Sequence, residues 1–371
     1  MKPGFKVLSA VLALWLGADT VWPCTTFVLK GKGRVYFGRN LDWFWEDGLV
    51  VINPRDVQKT AFLMTEKSPA RWTARFGSVT FNQFGRELPY GGMNEAGLVV
   101  ENMQLEEASY PAPDARPAIN LLQWIQYQLD NCRTVAEVIA TDGQLRIESP
   151  PAQLRGQARV HYLVCDATGD CAAIEFVGGQ RVVHRGATLP WPVLANDTYR
   201  SSAAPLREQP PPAQPPARAK DFSSLARFAH AAARAAAFKA REPKADLDYA
   251  FDTLEQVAQG NSTVWRVVYE VSARRIHFCT RGNQQARVID LKSVDFSGAR
   301  AAQYVDIQAP PAADGTLPLA DLTDARHRQY LERLSAQPSL KQNLGDLSPM
   351  MEGLFLTLQS YKCASPPKEA R

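Results

Sequence analysis

The sequence holds little that would suit it to a membrane, a metal or a nucleic acid. Its apolar run at residues 7–16 is half the length of about 20 residues that crosses a bilayer, and no later stretch is apolar enough to do so. Lys and Arg number 42 against 38 Asp and Glu, a net charge of +4 that leaves no basic patch for nucleic acid. The five histidines fall in no HExxH or other ligand spacing, and no CxxC pair exists, so neither a metal nor another cofactor is expected. There is no internal repeat.

What is present begins with "MKPGFKVLSAVLALWLGADTVWP". Lys2 and Lys6 precede an apolar run, and the small residues Gly17 and Ala18 follow it, which is the order of a secretory signal. Residues 1–23 are therefore expected to be a signal peptide with a short propeptide, and the mature chain to be periplasmic or secreted. Cleavage after Ala18 would leave "DTVWP", to be removed by attack of the Cys24 thiol on the peptide bond before it. Residues 24–371 read as one domain. Strands are expected on both sides of "GKG" in residues 24–42, across residues 76–105 with a turn at "GGMNEAG", on both sides of "DATGD", and in a hairpin at residues 262–280. Residues 118–141 and the segment from Asp221 carry apolar residues at helical spacing. The stretch 203–218 is proline-rich and reads as an extended surface loop. Strands and helices without strict alternation point to an α+β or layered mixed fold.

Six cysteines raise the question of pairing, since an exported chain keeps disulfides. Cys165 and Cys171 lie symmetrically about Thr168, and directly opposed residues of an antiparallel pair sit within disulfide reach. Cys24 has three readings: a lipid-anchored cysteine, an ordinary disulfide cysteine, or an N-terminal nucleophile freed by processing. Bulky Val21, Trp22 and Pro23 suit lipid processing poorly. The hairpin turn centres on Lys32, so the returning strand passes Cys24 near residue 40 and brings Arg39 and Asp42 beside it. Positions 39 and 42 point to opposite faces of a regular strand, so a bulge or a strand end must turn one of them. At such a site the α-amine would take the thiol proton, Arg39 would favour the thiolate and Asp42 would hold the amine.

"CTTFVLKGKGRVYFGRNLDW" resembles the opening of the choloylglycine hydrolase and penicillin V acylase family. The resemblance continues through "MNEAGLVVENMQL", "PVLANDTY", "DFSSLARF" and "STVWRVVYEVSARRIHFCT", over roughly residues 24–290. It implies a four-layer αββα sandwich of the N-terminal-nucleophile hydrolase type and hydrolysis of the C–N bond of an N-acyl small molecule. Carried over by residue, Cys24 is the nucleophile, Arg39 and Asp42 its paired neighbours, Asn196 the oxyanion-hole asparagine and Arg227 the late active-site arginine. Gln104 stands where bile-salt hydrolases carry Asn and penicillin V acylases carry Tyr, and Thr198 replaces a usual proline after Asn196. Read without the resemblance, Arg227 would be a surface residue of a helix, like Arg234 and Arg241, and Asn94 is a turn residue. Trp43, Phe44, Trp45, Phe62, Leu63, Met64, Phe81 and Phe84 are expected to ring an apolar acyl pocket. The competing view is an exported binding or structural protein with Cys24 as a disulfide or lipid-anchor cysteine; within the enzymes, an acyltransferase or an autoproteolytic precursor. The expected partner is the small-molecule amide alone, and the sequence leaves open whether the chain forms a homo-oligomer.

Overall fold

Strands β1 (Thr25–Gly31) and β2 (Arg34–Asp42) pair antiparallel across the two-residue turn at Lys32 and Gly33. Both turn residues have positive φ, 49° and 70°, the left-handed pair that matches the right-handed twist of a tight hairpin. The computed structural model describes residues 23–364, apart from 152–153, 155–157, 220 and 299; all but the last residue of the expected signal and propeptide segment 1–23 lies outside the described residues.

This hairpin forms the middle of a six-stranded sheet. Its other members are β14 (Val193–Leu194), β15 (Thr263–Glu270), β16 (Arg275–Thr280) and β17 (Arg287–Asp290), in the order β14-β1-β2-β15-β16-β17. A second sheet has nine strands: β3 (Leu49–Asn53), β6 (Ser78–Asn82), β7 (Pro89–Asn94), β8 (Val99–Gln104), β11 (Val160–Cys165), β12 (Cys171–Val177), β13 (Gln180–Arg185), β18 (Gln303–Asp306) and β19 (Ala320–Asp321). Their order is β13-β12-β11-β8-β7-β6-β3-β18-β19. Strands β4 (Val57–Thr60), β5 (Arg71–Thr73) and β20 (Lys362–Cys363) make a small third sheet, and β9 (Ala118–Ile119) and β10 (Arg146–Ile147) a parallel pair.

The two large sheets face each other. Phe81 of the second sheet meets Trp265, Tyr269 and Phe278 of the first at ring separations of 6.4, 6.3 and 5.5 Å. Phe81 thus fills the space between the sheets rather than a substrate pocket. Such fully buried aromatic side chains contribute about 1.5–3 kcal/mol each. Packing is close: a Cβ on Gly38 would lie 2.3 Å from the ring of Phe27, its cross-strand partner.

Helices cover both outer faces. Over the six-stranded sheet lie α3 (Tyr199–Glu208), α4 (Ser224–Ala237) and α5 (Pro243–Gln256); over the second sheet lie α1 (Leu121–Asn131) and α2 (Val135–Ala140). The four-layer αββα sandwich expected from the resemblance is the fold. Three more helices, α6 (Asp324–Ser335), α7 (Pro338–Leu344) and α8 (Ser348–Gln359), bury Leu331, Leu340 and Leu354 against Leu49, Val51 and Phe84 at one end of the second sheet.

Three local expectations change. The helical stretch 118–141 is two helices, because Asn94 Nδ2 takes the carbonyls of Leu129 and Cys132 at 2.8 and 2.7 Å and Thr134 caps a new start. Asn94 is structural, as its turn sequence implies. The loop expected at 203–218 begins only at Gln209: Tyr199, Ser202, Ala203 and Leu206 are buried at helical spacing, and that face outweighs Pro205 inside α3. Arg234 is not in solvent. Its guanidinium lies 3.9 Å from the centre of the Tyr249 ring and 2.6 Å from Asp252. Cys165 and Cys171 are opposite each other in β11 and β12 and form the expected disulfide.

Candidate active site

The register of the first hairpin brings Thr25 opposite Asn40 and Thr26 opposite Arg39, so Cys24 lies one step past the Thr25–Asn40 pair. Cys24 is 5% exposed and forms no disulfide. Arg39 Nη2 is 3.8 Å from its sulfur. Burial pushes the Cys24 thiol above its ordinary value; Arg39 opposes this most, Asp42 adds to it, and the Asp42 N–H and Arg227 oppose it. An alkaline thiol is thus poised beside two cations.

Asp42 ends β2 opposite Thr263, where β15 carries an irregularity between Thr263 and Trp265. The strand end and the bulged partner resolve the parity problem between positions 39 and 42. Thr263 Oγ1 donates to Asp42 Oδ1. Asp42 Oδ2 is buried with no hydrogen-bond partner among the described residues. Burial pushes this carboxyl up to about 7 against the Thr263 bond and the charges of Arg227 and Arg39.

Asn196 follows β14 by two residues. Its Oδ1 accepts from the Cys24 nitrogen at 2.8 Å and from Arg227 Nη2 at 2.7 Å, and its Nδ2 donates to the Gln104 carbonyl at 2.9 Å. Gln104, the last residue of β8, therefore meets Asn196 through its backbone. Arg227 lies in the first turn of α4, which Ser223 caps. It is 1% exposed, and its Nη1 donates to the Cys24 carbonyl and, at 2.6 Å, to Thr25 Oγ1. All six residues expected at the site are thus linked around Cys24. The surface reading of Arg227 fails because this face of α4 packs on β1.

Four residues of the site carried no signal in the sequence. Glu101 of β8 holds Arg39 Nε at 3.0 Å across the two sheets, and Tyr269 of β15 donates to the same carboxylate. Burial pushes Glu101 up to about 7, with Arg39 and the Tyr269 bond opposing. Gly91, opposite Glu101, makes this possible: a Cβ there would lie 2.0 Å from the Glu101 carboxyl carbon. Thr263 is the fourth.

A narrow apolar cavity of about 80 Å³ opens beside Trp43, which follows Asp42 directly. Tyr90, Phe84, Met64, Leu347 and Met350 also line it, and among the described residues none of its lining is charged. Tyr90 ties it to the nucleophile: its ring is 6.3 Å from that of Trp43, and the charges of Cys24 and Arg39 both act on its hydroxyl. Phe62 and Leu63 line a neighbouring surface depression that shares Met64.

Residues 24–207 match the family model described as linear amide C-N hydrolases, choloylglycine hydrolase family. The penicillin V acylase of Pectobacterium atrosepticum is 30% identical over 189 residues, which is 47% of this chain and 50% of that protein, so the match spans about half the length of the curated relative. The solved penicillin V acylase of Agrobacterium tumefaciens superposes with a TM-score of 0.65 at 25% identity, over 76% of this chain and 91% of that one. A variant of the conjugated bile acid hydrolase of Clostridium perfringens shares the fold with a TM-score of 0.60 at 18% identity, over 81% of this chain and all of that one. Residues 24–207 are thus those of a linear amide C-N hydrolase of the choloylglycine hydrolase family, and the fold that they open is shared with the solved penicillin V acylase.

Proposed function

We propose that the protein is an exported amidase that cleaves the C–N bond of N-acyl small molecules with Cys24 as its N-terminal nucleophile. The observation that carries this reading is the set of partners converging on one buried, unpaired cysteine: Arg39 at the sulfur, Asn196 and Arg227 on its backbone, and an Asp42 oxygen with no hydrogen-bond partner among the described residues. Removal of residues 1–23 turns the Cys24 nitrogen, which already donates to Asn196 Oδ1, into an α-amine with further protons to place, and Asp42 Oδ2 is the acceptor that we assign to one of them. The amine takes the thiol proton and the thiolate attacks the amide carbonyl. The amide of Asn196 supports the developing oxyanion, with its orientation fixed by Arg227 and the Gln104 carbonyl. The ammonium returns the proton to the leaving amine, and water then hydrolyses the acyl thioester. N-terminal sequencing and intact mass decide between this and the rival. An unmodified Cys24 at the first position is expected; retained residues or a diacylglyceryl mass would favour the binding protein.

The acyl group enters the apolar cavity. A slot of about 80 Å³ with no charged lining among the described residues suits a linear or aryl acyl group better than an anionic steroid. Each buried methylene is worth about 0.8 kcal/mol, so kcat/KM should rise roughly fourfold per added carbon until the slot is full. A chain-length series of N-acyl amides, run beside penicillin V and glycocholate, reads this out. A flat series, or glycocholate as the best substrate, would remove the acyl preference.

The Asp42 carboxyl also predicts a pH effect on the uncut chain. Its value is about 7 folded against 3.8 in the reference state. The folded state holds the extra proton between these values, so Asp42's contribution to stability falls as pH rises through that window. In a Cys24→Ala background, the melting temperature relative to the same chain with Asp42→Asn should drop steadily from about pH 4 to pH 7. A constant difference would mean that Asp42 titrates at its ordinary value.

A further inference from the structure

The segment that carries Asn196 is held from below by a pair of residues in the other sheet. His161 of β11 is fully buried and lies one step beyond the Tyr162–Ile174 pair of β11 and β12, opposite Glu175. Its Nδ1 is 2.9 Å from Glu175 Oε1, and its Nε2 is 2.9 Å from the carbonyl of Ala195, the residue before Asn196. The same Glu175 oxygen accepts the backbone N–H of Tyr199 at 2.7 Å. Tyr199 opens α3, so the carboxylate also sits at a helix N-terminus, where negative charge is favoured. His184 approaches the other Glu175 oxygen at 3.6 Å.

A carbonyl can only accept, and Glu175 Oε1 already accepts from Tyr199. His161 Nε2 therefore donates to the Ala195 carbonyl, while Nδ1 faces Glu175 Oε1. Burial raises the Glu175 carboxyl, but the bonds from His161 and His184, the His161 charge and the Tyr199 N–H together hold it down at about 2. Residues 195–199 are thus fixed at both ends, Ala195 by His161 and Tyr199 by Glu175, with Asn196 between them. β14 belongs to the six-stranded sheet and β11 to the nine-stranded one, so the pair acts across the interior of the sandwich.

We infer that His161 and Glu175 are positioning residues for Asn196, setting the placement of its amide against Cys24 from the opposite sheet. The inference rests on the proposed role of Asn196. Neither residue touches substrate.

The test compares His161→Asn, which keeps a donor toward Glu175 and loses the one to Ala195, with His161→Gln, whose amide nitrogen falls near the imidazole Nε2. The Asn variant should lose kcat by on the order of 10-fold with KM within about threefold, and the Gln variant should recover most of it. Added to Asn196→Ala, His161→Asn should cost nothing further in kcat, because both changes remove one interaction. Equal kcat in all His161 variants, or losses that multiply with Asn196→Ala, would overturn the inference. If His161→Asn fails to melt cooperatively, Glu175→Gln, which keeps the carboxylate's shape, takes its place in the same cycle with the same two outcomes. If Asn196→Ala itself is as active as the parent, or the parent cleaves no amide, it is the proposed function that falls.

Discussion

Replacing Cys24 by serine should lower kcat/KM on amides by on the order of 10³-fold or more and leave the melting transition in place. The two side chains are close in size, and the backbone bonds of residue 24 to Asn196 and Arg227 do not involve the sulfur. A serine hydroxyl beside Arg39 stays protonated at any working pH, whereas a thiol ionises far more readily and Arg39 opposes the rise that burial imposes on it. The alanine variant separates processing from turnover. If the Cys24 thiol cuts the bond before it, Cys24→Ala retains residues 19–23, seen by intact mass. A Cys24→Ala chain that still begins at residue 24 would assign the cut to a host peptidase. Near-normal turnover by Cys24→Ser would remove Cys24 as nucleophile.

Arg39→Met should cost about 3–5 kcal/mol of stability, because it leaves Glu101 buried without its cation. Arg39 and Glu101 are each 2% exposed at the side chain and 3.0 Å apart. The double variant Arg39→Met with Glu101→Gln removes the stranded charge and should regain most of that loss in urea denaturation. It should not regain activity, since the thiol then lacks the cation nearest its sulfur. Alkylation of Cys24 by iodoacetamide should stay slow in both variants at a pH where the parent reacts. Recovery of activity in the double variant would show that Arg39 acts through Glu101's charge alone.

The parts of this site that the sequence displays are the local ones. "GKG" fixes a hairpin because two adjacent residues take positive φ, and that alone brings Arg39 to Cys24. "CDATGDC" predicts its own disulfide by symmetry. Asn196 and Arg227 were reachable only through the resemblance, since 172 and 203 residues separate them from Cys24 and nothing local marks them. Glu101, Thr263 and the His161–Glu175 pair stayed hidden for the same reason: each meets its partner through sheet register or sheet stacking, which no short motif encodes. The α3 helix was obscured in the opposite way. Its one proline, Pro205, and the prolines after it are visible, and its buried face is not, until the sheet beneath it is known.

Separation along the chain also sets a timetable. The thiol is made first, near the start of β1, while its neighbours come late: Asn196, then Arg227, then Thr263 at 221 residues from Asp42. During synthesis, some two hundred residues must follow Cys24 before its surroundings exist. Until β15 docks on β2, the carboxyl of Asp42 has no hydroxyl partner, and until β14 pairs with β1 the nitrogen of Cys24 has no orienting amide. A truncated or misfolded chain therefore carries a thiol without these partners. If the Cys24 thiol makes the proposed cut, completion of the whole sandwich is its licence, and a new first residue would report successful folding.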